Sequence, residues 1–143
     1  MTTVLALVEE LLTELGEEGQ EFAKTDRDKL QADLDSNLAS GRFLALLARD
    51  ESGPAMGVLT LSASFALYAG GEYGVIGEMY VQPGSRGQGI GRALLEEAVA
   101  IARERGWLRL DVTGPTDDPG RRVARFYEGL GFAFTGSKLR LIL

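Results

Sequence analysis

The chain has 143 residues, of which 21 are acidic and 15 basic, a formal net charge of -6, and neither cysteine nor histidine. That length fits one domain built on a single core, and the missing Cys and His exclude disulfides, Ser-His-Asp and Cys-His catalysis, and the common zinc ligand sets. An acidic balance argues against nucleic-acid binding, and no apolar run approaches the roughly 20 residues needed to cross a bilayer.

Apolar residues at Val4, Leu5, Val8, Leu11, Leu12 and Leu15 have helical spacing, with Gly16 as the stop. Acidic residues interrupt this opening early and no basic region precedes it, which separates it from a secretory signal and leads to the expectation of a cytoplasmic protein. Leu30, Leu34 and Leu38 predict a second helix from Asp26 to Leu38 that ends by Gly41. FLALLAR from Phe43 to Arg49, the turn DESGP, and AMGVLTLSASF predict a hairpin. A third strand runs from Glu72 to Val81 after the break at Gly70-Gly71, and QPG closes it.

Ile90 to Arg105 is amphipathic, with Ile90, Leu94, Leu95, Ala98, Ile101 and Ala102 on one face and Gly106 as the stop. WLRLDV alternates as a strand, TGPTDDPG is a loop, and Asp118-Pro119 opens a short helix through Tyr127 to about Gly129. FAF and KLRLIL predict a terminal pair of strands. The resulting order is two helices, three strands, helix, strand, helix, two strands. It predicts an α+β, mixed α/β fold in one domain, 1–143, whose sheet is mainly antiparallel with one parallel pair.

RGQGIG, from Arg86 to Gly91, lies just where the third helix begins. Glycines let backbone N–H groups approach a ligand closely, and a helix N-terminus adds partial positive charge, so the segment suits a phosphate or pyrophosphate. The dinucleotide spacing GxGxxG fails because Arg92 stands where a third glycine belongs, and the Walker spacing fails because Ile90-Gly91 follows Gly89. A plain strand-to-helix turn is the alternative use of these glycines.

EMYVQPGSRGQGIGRALL, from Glu78 to Leu95, resembles the acyl-CoA-binding motif of the GNAT N-acyltransferase family. Arg86, Gly89 and Gly91 occupy the fixed positions of that motif, and ARFYEGLGF from Ala124 to Phe132 resembles the family's second signature. The similarity runs from about Phe43 to Leu143. It implies a twisted sheet flanked by helices, splayed where the strand ending at Val81 separates from that around Leu108 to Val112, with a bulge in the earlier strand. By the same resemblance Met79, Tyr80 and Val81 meet the pantetheine arm of acetyl-CoA, and Arg86, Gly87, Gln88, Gly89, Ile90, Gly91 and Arg92 form the pyrophosphate turn. Phe126 joins these cofactor-binding residues, and a homodimer is common in the family. Arg121 departs from the pattern, standing where many members carry Asn, and the segment before the first helix is short for the family's opening strand.

The activity so implied is transfer of an acetyl group from acetyl-CoA to a primary amine of a small molecule or peptide, by direct attack in a ternary complex and without a metal. A neutral amine is the nucleophile, and a base helps because alkyl amines are mostly protonated at neutral pH. Glu78 is the candidate base, acting through water; an edge-strand carboxylate paired with an arginine is the other reading of it. Tyr127 matches the family tyrosine near the cofactor sulfur, where its hydroxyl protonates the departing thiolate; a core aromatic beside Phe126 is the alternative. A non-catalytic acyl-CoA-binding module on the same fold is the rival for the whole chain. Tyr68 and Tyr73 flank the Gly70-Gly71 turn as packing residues or as an acceptor wall, and Trp107 belongs to the core.

Overall fold

The computed structural model describes residues 2–16, 20–113, 118–136 and 138–143, with side chains left aside at 118–121. Two compact units divide the chain, 1–111 and 112–143. In the first, α1 spans Thr3–Leu15 and buries Leu5, Leu7 and Val8. Gly16 stops it with a left-handed φ of 71°, which only glycine adopts without strain. A five-residue helix that the sequence pattern did not suggest, α2, covers Gln20–Lys24. The next helix, α3, spans Arg27–Ser40; Asp26 caps it by accepting the Asp28 N–H, and Gly41 ends it in the left-handed region.

Three antiparallel strands follow as expected: β1 Phe43–Arg49, β2 Ala55–Ala66 and β3 Gly71–Val81. Helix α4, Ile90–Glu104, then leads to β4, Leu110–Val112, which completes a mixed sheet of order β1-β2-β3-β4. The expected strand WLRLDV is thus cut to three residues. At about 3.3 Å per residue β4 reaches only about 10 Å along the much longer β3. Arg109 O accepts the Gly74 N–H near the start of β3, so β3 continues well past its neighbour.

Central position explains why β2 reads as a continuous apolar run: Val58, Leu59 and Leu61 are completely buried, each stabilising the fold by about 1.5–3 kcal/mol. Adjacent residues of a strand face opposite sides of the sheet. Val58 packs with Tyr80, Ala55, and Leu7 and Val8 of α1, whereas a Cβ at Gly57 would lie 3.3 Å from Ile90 and Leu94 of α4. The sheet is therefore clad by α1 on one face and α4 on the other.

The second unit holds α5, Asp118–Glu128. Its C-terminal turn is closed by the N–H groups of Gly129 and Leu130, which bond to the carbonyls of Arg125 and Tyr127. The expected terminal strands are not found: 132–136 and 138–143 carry no strand among the described residues. Alternation in KLRLIL offers one apolar edge, but Leu139 and Leu141 are 93% and 82% exposed, so the cover that would turn that pattern into a strand is absent from the described residues. The expected loop at 114–117 and the position Ser137 lie outside the described residues.

Trp107 is buried, and its indole N–H donates to Glu72 at 2.9 Å, so it is a core residue as expected. Its ring lies over Gly74, where a Cβ would come within 2.4 Å of the ring and 2.8 Å of Leu110. Gly74→Ala should destabilise the protein by about 1–3 kcal/mol through overpacking, measured by urea unfolding. Wild-type stability in that variant contradicts this packing.

Candidate active site

The glycine segment sits where β3 hands the chain to α4. Pro83–Ser85 form one 3-10 turn after Val81, and Gly89 is the N-terminal cap residue of α4. Gly87 and Gly89 both have φ of 80°, and a Cβ at either would meet nothing within 4 Å. Backbone conformation requires glycine there, and the space above both remains open. The first-turn N–H groups of α4 point toward this side, since helix N-termini carry orphan donors and partial positive charge. Gln88 and Arg92 are exposed, and Ile90 and Gly91 half-buried in the first turn. The residues present thus fit a phosphate group: a side-chain-free backbone cradle at the positive end of a fifteen-residue helix.

The two arginines of the segment are engaged. Arg92 Nε pairs with Glu96 one turn further along α4, at 2.9 Å. Arg86 Nε donates to Val81 O at 2.9 Å, and its Nη2 pairs with Glu14 of α1 at 2.8 Å. The hydrogen bond from Arg86 holds the Glu14 carboxyl below its ordinary value and, reciprocally, raises that of the guanidinium. These contacts fix Arg86 beside the turn while committing its charge to α1.

Tyr80 and Glu78 are two residues apart and share a face of β3, the face on which α1 packs. Beside Tyr80 runs a groove of about 650 Å³ lined by Ala6, Glu9, Glu10, Thr13, Glu14 and Pro83. Burial raises the Tyr80 hydroxyl, with the charges of Glu10 and Glu14 adding to it. Gln82 donates to the Glu10 carboxylate at 3.2 Å. Met79 and Val81 are half-buried in the last part of β3.

Just before these residues the ladder changes register: Leu59 opposes Met79 but Leu61 opposes Ile76, so Thr60 faces both Gly77 and Glu78. This is a bulge in β3 of the kind the resemblance implied. Glu78 is half-buried there and bonds to Thr60 through both its N–H and its carboxylate. Among the described residues its hydrogen-bond partner is a threonine. Thr60 was missed in the sequence; the signal was one polar residue inside GVLTL.

Phe126 and Tyr127 belong to the second unit, on the last turn of α5. Tyr127 is 8% exposed and meets Phe126 and Phe132 edge-on, at 5.5 and 5.4 Å between ring centres. Tyr68 is exposed, and its hydroxyl is raised chiefly by its hydrogen bond with buried Tyr73. The side chain of Arg121 is outside the described set.

Burial pushes the Tyr127 hydroxyl up from 10.0 to about 12. The unfolded chain therefore loses this proton first: the stabilisation is complete below about pH 10 and is lost as pH rises toward about 12, roughly 2–3 kcal/mol in all. Unfolding of wild type and Tyr127→Phe across that window should show the variant gaining roughly this amount relative to wild type. A constant difference contradicts burial of the hydroxyl.

Comparison with known proteins places the chain. It is 41% identical over 66 residues to streptothricin acetyltransferase of Streptomyces lavendulae, a match spanning 43% of this chain and less than a third of that relative, 31%. A predicted acetyltransferase of Clostridium acetobutylicum, crystallised with acetyl-CoA, superposes with a TM-score of 0.75 at 25% identity, covering 98% of this chain and 87% of the other. Ribosomal-protein-alanine N-acetyltransferase of Brucella melitensis gives 0.61 at 26% identity, over 76% and 77% of the two chains. The model of the acetyltransferase (GNAT) family matches residues 5–132, taking in the first helices as well as both sequence signatures, and the chain belongs to that family.

Proposed function

We propose that the protein is an N-acetyltransferase that moves an acetyl group from acetyl-CoA to a primary amine of a small molecule or peptide, in the cytoplasm and as one domain. The observation that carries this reading is the turn at Gly87 and Gly89, open above both glycines and seated at the start of α4. Bound acetyl-CoA supplies the activated acetyl group and a thiolate leaving group. The protein's part is to hold its phosphates on the backbone of 86–92 and the pantetheine arm along Met79–Val81.

Glu78 takes a proton from the amine, through water, so that the nitrogen lone pair is available. Tyr127 keeps its proton throughout the neutral range, because its hydroxyl is pushed up to about 12. A thiol of ordinary acidity, near 8.5, is the stronger acid by roughly 5 kcal/mol. Tyr127 therefore acts as a hydrogen-bond donor toward the sulfur, and the second N–H proton, released as the amide forms, passes through water to the departing thiolate. Carboxylates of Glu9, Glu10 and Glu14 line the groove beside Tyr80 and favour an acceptor that carries positive charge. Streptothricin in the name of one relative and the protein alanine in that of another bracket the acceptor classes to try.

Gly89→Trp forces a bulky residue into a left-handed conformation and fills the cradle. Its acetyl-CoA affinity by calorimetry should fall by about 100-fold or more, the loss expected for two charge-assisted hydrogen bonds; unchanged affinity removes the turn from the site. Tyr127→Phe should keep the affinity and lower thiol release roughly 100-fold, the loss expected for one donor aimed at developing charge. An unaltered rate returns Tyr127 to packing alone.

A further inference from the structure

Thr60 is a polar residue in the most buried stretch of the sheet. It is 1% exposed, between Leu59 and Leu61, neither of which is exposed at all. Valine would fill the same volume and suit a central strand better, since a buried hydroxyl costs free energy unless it is hydrogen-bonded. The hydroxyl here is fully used by one residue: it accepts the Glu78 N–H at 2.9 Å and donates its proton to Glu78 Oε2. With the N–H on one side, the hydroxyl proton is directed at the carboxylate.

The same contact fixes the bulge. Gly77 and Glu78 together oppose Thr60, and a Cβ at Gly77 would stand 3.1 Å from the threonine oxygen, so Gly77 leaves the room in which the two strands close on that hydroxyl. Both the backbone and the side chain of Glu78 are thereby held by a single atom. Oε1 makes no hydrogen bond among the described residues, which makes it the oxygen turned to proton transfer.

We propose that Thr60 is a positioning residue for the transferase reaction, aiming the Glu78 carboxylate by a hydrogen bond to one oxygen and locking the bulge that carries it. This rests on Glu78 being the base. The hydroxyl is 1% exposed and engaged on both sides by Glu78, so it acts through that residue.

The test is a cycle of Thr60→Val, Thr60→Ser, Glu78→Gln and the double variant Thr60→Val with Glu78→Gln. For each, kcat, the KM for acetyl-CoA and the acetyl-CoA affinity are measured. Glu78→Gln should lower kcat roughly 100-fold or more, as for loss of a general base. Thr60→Val should lower kcat roughly tenfold with affinity and KM within about twofold, and Thr60→Ser should restore most of it. In the double variant Thr60→Val should add no further loss, because the residue it positions is gone. If Thr60→Val does not fold, Thr60→Cys, similar in size and only a weak donor, replaces it with the same expected split.

A full kcat in Thr60→Val beside a low one in Glu78→Gln overturns the positioning role and leaves the base intact. So does an equal loss from Thr60→Val in both backgrounds, which marks a purely structural effect. A full kcat in Glu78→Gln instead overturns the base, and the proposal with it.

Discussion

Opposite Thr60 the third strand carries one residue more than its partner, and much of the site follows from how that excess is absorbed. A strand alternates its side chains, so an extra residue resets which ones face which side from that point on. Past the bulge, Glu78 and Tyr80 share the face on which α1 packs, and the chain reaches the glycine turn after Val81. Were the same sequence to run as a regular strand, Ile76, Glu78 and Tyr80 would share one face, and the carboxylate would interrupt an apolar row. The hydroxyl of Thr60, itself flanked by the buried Leu59 and Leu61, meets the N–H and the carboxylate at the misfit, so the bulge is hydrogen-bonded.

Electrostatics tie the first helix to the same strand end. Glu10 reaches Gln82, and Glu14 reaches Arg86, each across 72 residues of sequence. Both pairs are substantially exposed, so their contribution to stability is small and salt-sensitive. Their effect is on placement: α1 brings carboxylates to the groove beside Tyr80 and holds Arg86 alongside the turn. The negative charge noted in the composition has a local address here.

The sequence was legible where local chemistry decides the structure. Gly16, Asp26, Gly41 and Gly89 mark helix ends through φ or capping, and each lies within one residue of where the pattern put it. The hairpin order of β1, β2 and β3 follows from alternation between turn residues. Contacts made at long range were not legible: the partner of Glu78 depends on a register shift, and that of Arg86 on the docking of α1. KLRLIL shows the converse error, an alternating pattern whose apolar side is left exposed, because periodicity states what a segment can bury and not what is there to bury it. The short helix Gln20–Lys24 sets only the half-buried Phe22 against the core, and one apolar contact leaves no periodic signal. The two sequence signatures were read from local motif alone, and the family match extends through the N-terminal helices that carry no such motif.

In the function proposed above, the turn at Gly87 and Gly89 binds the acetyl donor and the protein passes the acetyl group to an amine. Isotope-labelled acetyl-CoA, incubated with the protein and a panel of polyamines, aminoglycosides, amino acids and peptides, tests it by mass spectrometry of the acceptors. Label is expected on the nitrogen of a cationic acceptor, and none when Gly89→Trp replaces the wild-type protein. Acetyl-CoA bound by the wild type with no label passed to any acceptor contradicts the transfer and favours a binding module; label passed equally by Gly89→Trp contradicts the site.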